Sequence, residues 1–122
     1  MEVWKKAHEL ALFVYRVTTR FPKEEIYGLC SQMRRAAVSV PSNVVEGFKR
    51  PGVKESIDFF NISQGSLEEL KYQLFLSFEL GFLPEVDHNE ASELADQVGR
   101  MLNGYIRSVK SRRRSNSAPE KK

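Results

Sequence analysis

Residues 32–47 read QMRRAAVSVPSNVVEG, and their apolar side chains recur with the period of an α-helix. The apolar stripe extends from Ile26 to Phe48, which predicts one helix that begins near Glu24. Pro41 lies inside this stripe, where a proline removes one backbone hydrogen bond and costs about 3 kcal/mol in a regular helix. Because the apolar spacing keeps its phase across Pro41, the pattern predicts a kinked but continuous helix, with a true break as the alternative.

Three further segments carry the helical period, and no segment of the sequence predicts a strand. Gly81 is the expected C-cap of the third helix, and Asp87 is the expected N-cap of the fourth. Four amphipathic helices with short connections predict an all-α fold, an antiparallel up-down-up-down four-helix bundle. Besides the helix that contains Pro41, the predicted helices span about Val3–Thr19, Lys54–Leu80 and the segment that starts after Pro84.

The net charge of +3 is concentrated at one end of the 122-residue sequence. Residues 1–110 carry 14 Lys/Arg against 15 Asp/Glu, a net charge of −1. Residues 111–122 carry five basic groups against one acidic group, a net charge of +4, and show no apolar periodicity. Because such a segment buries too little surface to offset its ordering entropy, we predict a bundle domain over 1–110 and a basic flexible tail over 111–122.

The single cysteine and the absence of long apolar runs exclude several classes of protein. Cys30 is the single cysteine, so one chain holds neither a disulfide framework nor a thiolate metal cluster. No apolar run approaches the roughly 18–20 residues of a membrane span, and residues 1–6 lack the order of a signal peptide. These features favour a protein of the reducing cytoplasm without a membrane partner.

Metal and cofactor motifs are incomplete in the sequence. A di-metal carboxylate bundle needs Glu-x-x-His on each of two helices, and the single such spacing joins Glu85 to His88 at a helix start. The glycines are isolated, so there is no Gly-rich phosphate-binding loop. We therefore expect no metal and no cofactor.

A polar stripe lies beside the apolar stripe of the second helix, and the third helix offers polar partners for it. We interpret these side chains as a network that fixes the register of the helices. An enzymatic alternative would use Glu46 as a catalytic carboxylate oriented by Asn43. No nucleophile, histidine or cofactor loop accompanies them, so we expect no enzymatic activity. The predicted network comprises Gln32, Ser39, Asn43 and Glu46 on the second helix and Ser66 and Glu69 on the third.

The second half of the third helix is apolar almost all the way round. One bundle core covers only one stripe of a helix, so the surplus apolar side chains need another partner. Self-association is the simplest explanation. The predicted oligomer interface comprises Tyr72, Phe75, Leu76 and Phe82.

Basic residues form the remaining signal. An up-down topology brings the end of the second helix and the end of the fourth to the same end of the bundle. Their basic side chains would then form one pole suited to phosphate contacts, and the alternative is a solvated surface with a solubilising tail. The predicted nucleic-acid-binding residues are Arg34, Arg35, Lys49, Arg50, Lys54, Arg112, Arg113 and Arg114.

Four sequence stretches resemble a known family: FPKEEIYGL at 21–29, the stretch at 32–47, VWKKA at 3–7 and GSLEEL at 65–70. Over about residues 3–109 the chain closely resembles the four-helix-bundle family of 23S rRNA intervening-sequence proteins. This resemblance implies an all-α bundle that assembles as a homopentamer and has no known enzymatic activity.

Distantly similar bundles act as accessory factors of retroelement reverse transcriptases and bind nucleic acid through a basic surface. Many members lie outside ribosomal RNA genes, so the resemblance carries no ribosomal role over to this chain. The sequence departs from the family pattern at three positions: Cys30 and Val45, where Ser or Thr and Ala are common, and Val53, where a Ser often caps the third helix.

Two main functions remain open from the sequence. The first is an oligomeric, non-enzymatic accessory protein that binds RNA or DNA. The second is a protein-interaction scaffold without affinity for nucleic acid. The family analogy favours the first, although a shared fold is a weak argument for a shared function.

Overall fold

The structure, a computed structural model, describes residues 1–117, with side chains described through residue 112. The described part contains four α-helices and no strand: α1 (Glu2–Thr18), α2 (Ser31–Lys49), α3 (Val53–Glu79) and α4 (Glu85–Ser117). Helix α1 packs against α2 and α4, and α3 packs against α2 and α4, so α1 and α3 are diagonal. The predicted all-α, up-down-up-down four-helix bundle is confirmed. We call the end where α1 and α3 begin the lower end, and the opposite end the upper end.

The core follows the apolar stripes of the four helices. One buried cluster fills the upper and middle bundle, and its centre includes Leu10, Met33 and Leu70, each at most 1% exposed. A second cluster closes the lower end around Phe60, whose ring lies near those of Phe48 and Tyr105, with centroids 5.4 and 6.2 Å away. Each cluster joins side chains of all four helices, so apolar burial links every helix to the others.

Helix α2 runs without interruption through Pro41. The continuous helix predicted from the apolar spacing is therefore confirmed, and the alternative of a break at Pro41 is wrong. Pro41 is itself buried. One residue earlier, the carbonyl of Val40 accepts a hydrogen bond from Ser63 Oγ of α3 at 2.8 Å. Burial and this cross-helix bond stabilise the helix where the proline removes a bond within it.

The start of the second helix differs from the prediction. Regular α-helix begins at Ser31, not near Glu24, because a 3₁₀ turn (Lys23–Glu25) and a π-helical turn (Ile26–Cys30) precede it. Gly28 inside the π turn has non-helical backbone angles of φ −111° and ψ −106°. The apolar stripe therefore ends early, and Ile26 is 50% exposed.

The C-cap of α3 is Leu80, one residue before the predicted Gly81, and Gly81 follows it at a positive φ of 82°. The N–H of Phe82 donates to the carbonyl of Ser77 at 2.9 Å, and the N–H of Gly81 donates to that of Phe78 at 3.0 Å. These two bonds form a Schellman motif, which satisfies the last carbonyls of the helix.

The predicted N-cap of the fourth helix is wrong. The carbonyl of Pro84 accepts from the N–H of His88 at 2.9 Å, so α4 already begins at Glu85 and Asp87 lies inside its first turn. Helix α4 also passes residue 110, the expected boundary of the bundle domain, and continues to Ser117. The flexible tail over 111–122 stays a prediction, and residues 118–122 lie outside the described residues. In the described part, no helix is both long and apolar enough to cross a membrane.

Candidate nucleic-acid interface

Basic side chains from three helices meet at the lower end. Lys49 ends α2, and Lys54 lies in the first turn of α3; both are exposed. Arg112 of α4 is exposed too, and it lines a shallow depression together with Glu2 and Ser108. The start of α1 therefore lies beside the end of α4, and the ends of α2, α3 and α4 each present an exposed basic side chain at the lower end.

Arg50 lies at the same end but is held in place by its neighbours. Its guanidinium pairs with Glu46 at 3.2 Å, four residues earlier, and lies over the ring of Phe59 at 5.4 Å from the centroid. The signal for this pair was visible in the i,i+4 spacing of the two charges. Arg50 is thus less available to a ligand than Lys49 or Lys54.

The charges of α4 are separated along its length. Residues 85–100 contain five acidic residues and one basic residue, whereas residues 101–117 contain five basic residues and no acidic residue. Acidic groups near a helix N-terminus and basic groups near its C-terminus are both stabilised by the helix macrodipole. Because α4 runs from the upper to the lower end, its acidic half lies toward the upper end of the bundle and its basic half toward the lower end.

The other predicted basic residues do not join this lower end. Arg34 lies near the upper end, where its Nε donates to Thr18 Oγ1 at 2.9 Å and its guanidinium lies 4.8 Å from the ring centroid of Tyr15. Arg35 is exposed on the next position of α2. The side chains of Arg113 and Arg114 lie outside the described residues.

Half of the predicted polar network forms one cluster between α2 and α3. Ser39 Oγ lies 2.7 Å from Ser66 Oγ, and Asn43 Nδ2 donates to Ser39 Oγ at 3.0 Å. Gln32 and Glu69 are exposed, and Glu46 pairs with Arg50 instead, so these three side chains lie outside the cluster.

Two buried hydroxyl groups of α3 that are not in the predicted network add to this contact. Ser63 Oγ donates to the carbonyl of Val40, as described above. Ser77 Oγ donates to the carbonyl of Gln73 at 2.7 Å and lies 3.3 Å from Met33 Sδ. Both serines are 0% exposed. The position of both serines on the side of α3 that faces α2 was the sequence feature that could have predicted their burial.

The predicted oligomer interface separates into two parts. Tyr72 and Phe75 are 62% and 49% exposed. Leu76 and Phe82 instead pack against the bundle's own core, and the Phe82 ring lies 5.7 Å from that of Phe21. Only the first pair is therefore available to another molecule.

Cys30 behaves as a buried apolar side chain. It is 4% exposed, and its Sγ lies 3.6 Å from the carbonyl oxygen of Thr18. Burial raises the pKa of the thiol, and the nearby charge of Arg34 offsets only part of this. Among the residues whose positions are described, no three His, Cys, Asp or Glu side chains are grouped so that they could hold a metal ion.

The fold and the lower-end surface define the class: a small antiparallel bundle of four helices with a charged end. The model of the 23S rRNA-intervening sequence protein family matches residues 1–104, so the chain belongs to that family. This confirms the resemblance seen in the sequence.

A solved structure shares the fold. It is a protein of unknown function from the S23 ribosomal protein family of Bacteroides thetaiotaomicron, with a TM-score of 0.78. The match covers 85% of this chain and 97% of that one at 18% sequence identity, so it shows the fold alone. No curated protein matches this chain.

Proposed function

We propose that this protein is a cytoplasmic, non-enzymatic accessory factor that binds the phosphates of RNA or DNA through its lower end. It acts as a homo-oligomer, with five copies as the number that the sequence resemblance implies. The observation that carries the proposal is the separation of charge along α4, which collects basic groups at one end of a chain whose first 110 residues have a net charge of −1.

The lower end supports phosphate binding because its basic groups come from separate helices. Lys49, Lys54 and Arg112 are exposed and project from three helix ends, so several phosphates along a strand can be contacted at once. Lysine and arginine release condensed counterions when they neutralise phosphates, and this release supplies sequence-independent affinity. Repetition of the basic end around an oligomer axis would strengthen the local potential.

The arrangement of Glu46 supports a role without catalysis. An enzymatic function would need Asn43 to orient this carboxylate. Asn43 instead donates to Ser39, and Glu46 pairs with Arg50 while 46% of its side chain is exposed. The amide of Asn43 therefore does not orient Glu46, and the charge of the Glu46 carboxylate is balanced by Arg50.

The test is a salt titration of binding by a triple variant, Lys49→Ala/Lys54→Ala/Arg112→Ala. Fluorescence anisotropy with a labelled single-stranded RNA gives the dissociation constant at each salt concentration. Each lost phosphate contact lowers the slope of log K against log salt by about 0.7 for a single strand, so we expect a decrease of about 2. The matched control is Arg16→Ala/Arg20→Ala/Lys23→Ala, which removes the same charge from exposed upper-end positions.

The control should keep the slope of the unmodified protein. An equal loss of affinity in both variants would show that net charge, and not the lower end, governs binding. Binding that is indifferent to salt and to the triple substitution would contradict the proposal.

Exposed apolar side chains favour a second candidate function, a protein-interaction scaffold. Tyr72, Phe75 and Leu12 are each at least 46% exposed, and neighbouring exposed apolar side chains such as Tyr72 and Phe75 are typical of an interaction surface. A scaffold of this kind would form a stable oligomer with no measurable affinity for RNA or DNA. The anisotropy assay and light scattering on the same sample distinguish the two functions.

A further inference from the structure

A groove between α1 and α2 is lined mainly by apolar side chains. Leu12, Tyr15 and Val38 lie along it and are 46%, 43% and 42% exposed. Trp4 and Val45 continue the apolar lining toward the lower end. This face combines a concave shape with apolar side chains that the bundle's own core leaves open to solvent.

A matching ridge lies on α3. Tyr72 and Phe75 are three residues apart, so both point from one side of the helix, away from the core. Helix α3 is diagonal to α1, so a single chain cannot bring its own ridge to its own groove.

We propose that the α1–α2 groove of one copy receives the Tyr72–Phe75 ridge of a second copy. This inference rests on the proposed function, because that function assumes a homo-oligomer, and it assigns the two surfaces that form the contact.

Contacts inside the bundle indicate that the ridge and the upper part of the groove lie at the same height along the long axis of the bundle, which we call their level. Ser66 lies beside Ser39, with hydroxyl oxygens 2.7 Å apart, and Ser77 lies beside Met33, with Oγ 3.3 Å from Sδ. Residues 66–77 of α3 therefore run alongside residues 33–39 of α2.

The ridge falls within this level, and so does the upper groove. Tyr72 and Phe75 lie between the two contacts on α3, and Val38 lies between them on α2. Tyr15 is at the same level, since the guanidinium of Arg34 lies 4.8 Å from its ring. When copies are related by a rotation axis parallel to the bundle, residues of equal level meet.

The charges beside the ridge and beside the upper end of the groove are complementary, whereas Glu46, at the lower end of the groove, pairs with Arg50. Glu69 and Glu79 are exposed one or two turns from Tyr72 and lie on its side of α3. Arg34 and Arg35 lie at the groove's upper end, beside Tyr15 and Val38. Glu68 also flanks the ridge, although Lys71 pairs with it at 3.3 Å. Opposite charges around an apolar contact favour one docking orientation over its alternatives.

The contact joins two different surfaces, so it is heterologous. A heterologous contact leaves a free groove at one end of any open assembly and a free ridge at the other, and a rotation that closes makes a ring. This property separates the proposal from a symmetric contact of groove with groove or ridge with ridge.

The test is complementation between two variants, followed by light scattering after size-exclusion chromatography. Val38→Glu places a carboxylate in the groove, where the ridge glutamates repel it, and Tyr72→Ala/Phe75→Ala removes the ridge. The substituted side chains are exposed, and circular dichroism checks that each variant keeps its helix content. Each variant alone should be a monomer. Mixed, they should form a dimer with one copy of each, because one intact ridge then meets one intact groove.

Ile62→Glu is the matched control, since Ile62 is 51% exposed on α3 but outside the ridge, and it should keep the mass of the unmodified oligomer. If Val38→Glu keeps the mass of the oligomer, or if the two monomeric variants do not combine when mixed, the proposed contact is wrong. Both outcomes leave the oligomeric state of the unmodified protein unaffected. A monomeric unmodified protein would overturn both the contact and the oligomeric part of the proposed function. Nucleic-acid binding is measured separately by anisotropy.

Discussion

Gly47 of α2 lies directly against the ring of Phe60 of α3. A Cβ atom built on Gly47 would come within 2.7 Å of Phe60 Cδ1, closer than real Cβ contacts. Phe60 is 1% exposed and lies at the centre of the lower core cluster. The absence of a side chain at position 47 therefore sets how closely these two helices approach.

We expect Gly47→Ala to destabilise the bundle, because the ring of Phe60 has to move within a packed core. Overpacking of this kind costs about 1–3 kcal/mol, and alanine returns up to about 1 kcal/mol of helix propensity. Urea unfolding followed by circular dichroism should show a net loss of up to about 2 kcal/mol. Gly65→Ala is the control, since nothing lies within 4 Å of its added Cβ, and it should stabilise. A stabilising Gly47→Ala would show that the two helices can separate freely.

The hydroxyl pair of Ser39 and Ser66 should be coupled energetically. Replacing both residues by alanine, singly and together, gives a double-mutant cycle. We expect a coupling of about 0.5–1.5 kcal/mol, since a net hydrogen bond of this type joins α2 to α3. The cycle with exposed Ser42 in place of Ser39 should give a coupling near zero, and equal couplings in both cycles would mean that the bond contributes nothing.

Gly81 should tolerate asparagine better than alanine. Its φ of 82° lies in the left-handed region, which costs a residue with a Cβ about 1–2 kcal/mol, while asparagine enters this region more readily. Thermal unfolding should therefore rank the unmodified protein above Gly81→Asn and Gly81→Asn above Gly81→Ala. Equal stability of all three would imply that the turn adopts another conformation.

The thiol of Cys30 should react slowly in the folded protein. Burial raises its pKa, so little thiolate is present near neutral pH, and we expect alkylation at least about tenfold slower than in urea. The raised pKa also means that the protonated thiol favours the folded state. This contribution is complete below the pKa of the unfolded chain and is lost as the pH rises through the folded pKa. Alkylation at equal rates with and without urea would contradict the buried position.

The helices could be predicted from the sequence wherever one apolar phase ran unbroken, as it does across Pro41. The segment before Ser31 could not, because Gly28 takes backbone angles that no periodicity records. The start of α4 could not be predicted from Asp87 either. Asp87 is a residue type that often caps helices, but the first helical hydrogen bond is accepted three residues earlier, by the carbonyl of Pro84. Local backbone geometry, and not hydrophobic pattern, decided these boundaries.

The candidate site could be predicted only in part. The topology placed Lys49 and Lys54 at one end, and their exposure follows from their position at helix ends. The side chain of Arg34 is held near the upper end by its hydrogen bond to Thr18 of α1, and a contact between two helices of this kind is not visible in the sequence. The groove also escaped prediction, because Leu12 and Val38 become neighbours only when α1 packs on α2.

The up-down order of the helices places Glu2 and Arg112 beside one another at the lower end. A linker from the end of α4 back to the start of α1 would therefore let the chain be reopened at the turn around Gly81. Such a circular permutant would keep all four helices and their packing while moving both termini to the upper end. An affinity tag or surface tether would then be attached at the opposite end of the bundle from Lys49 and Lys54.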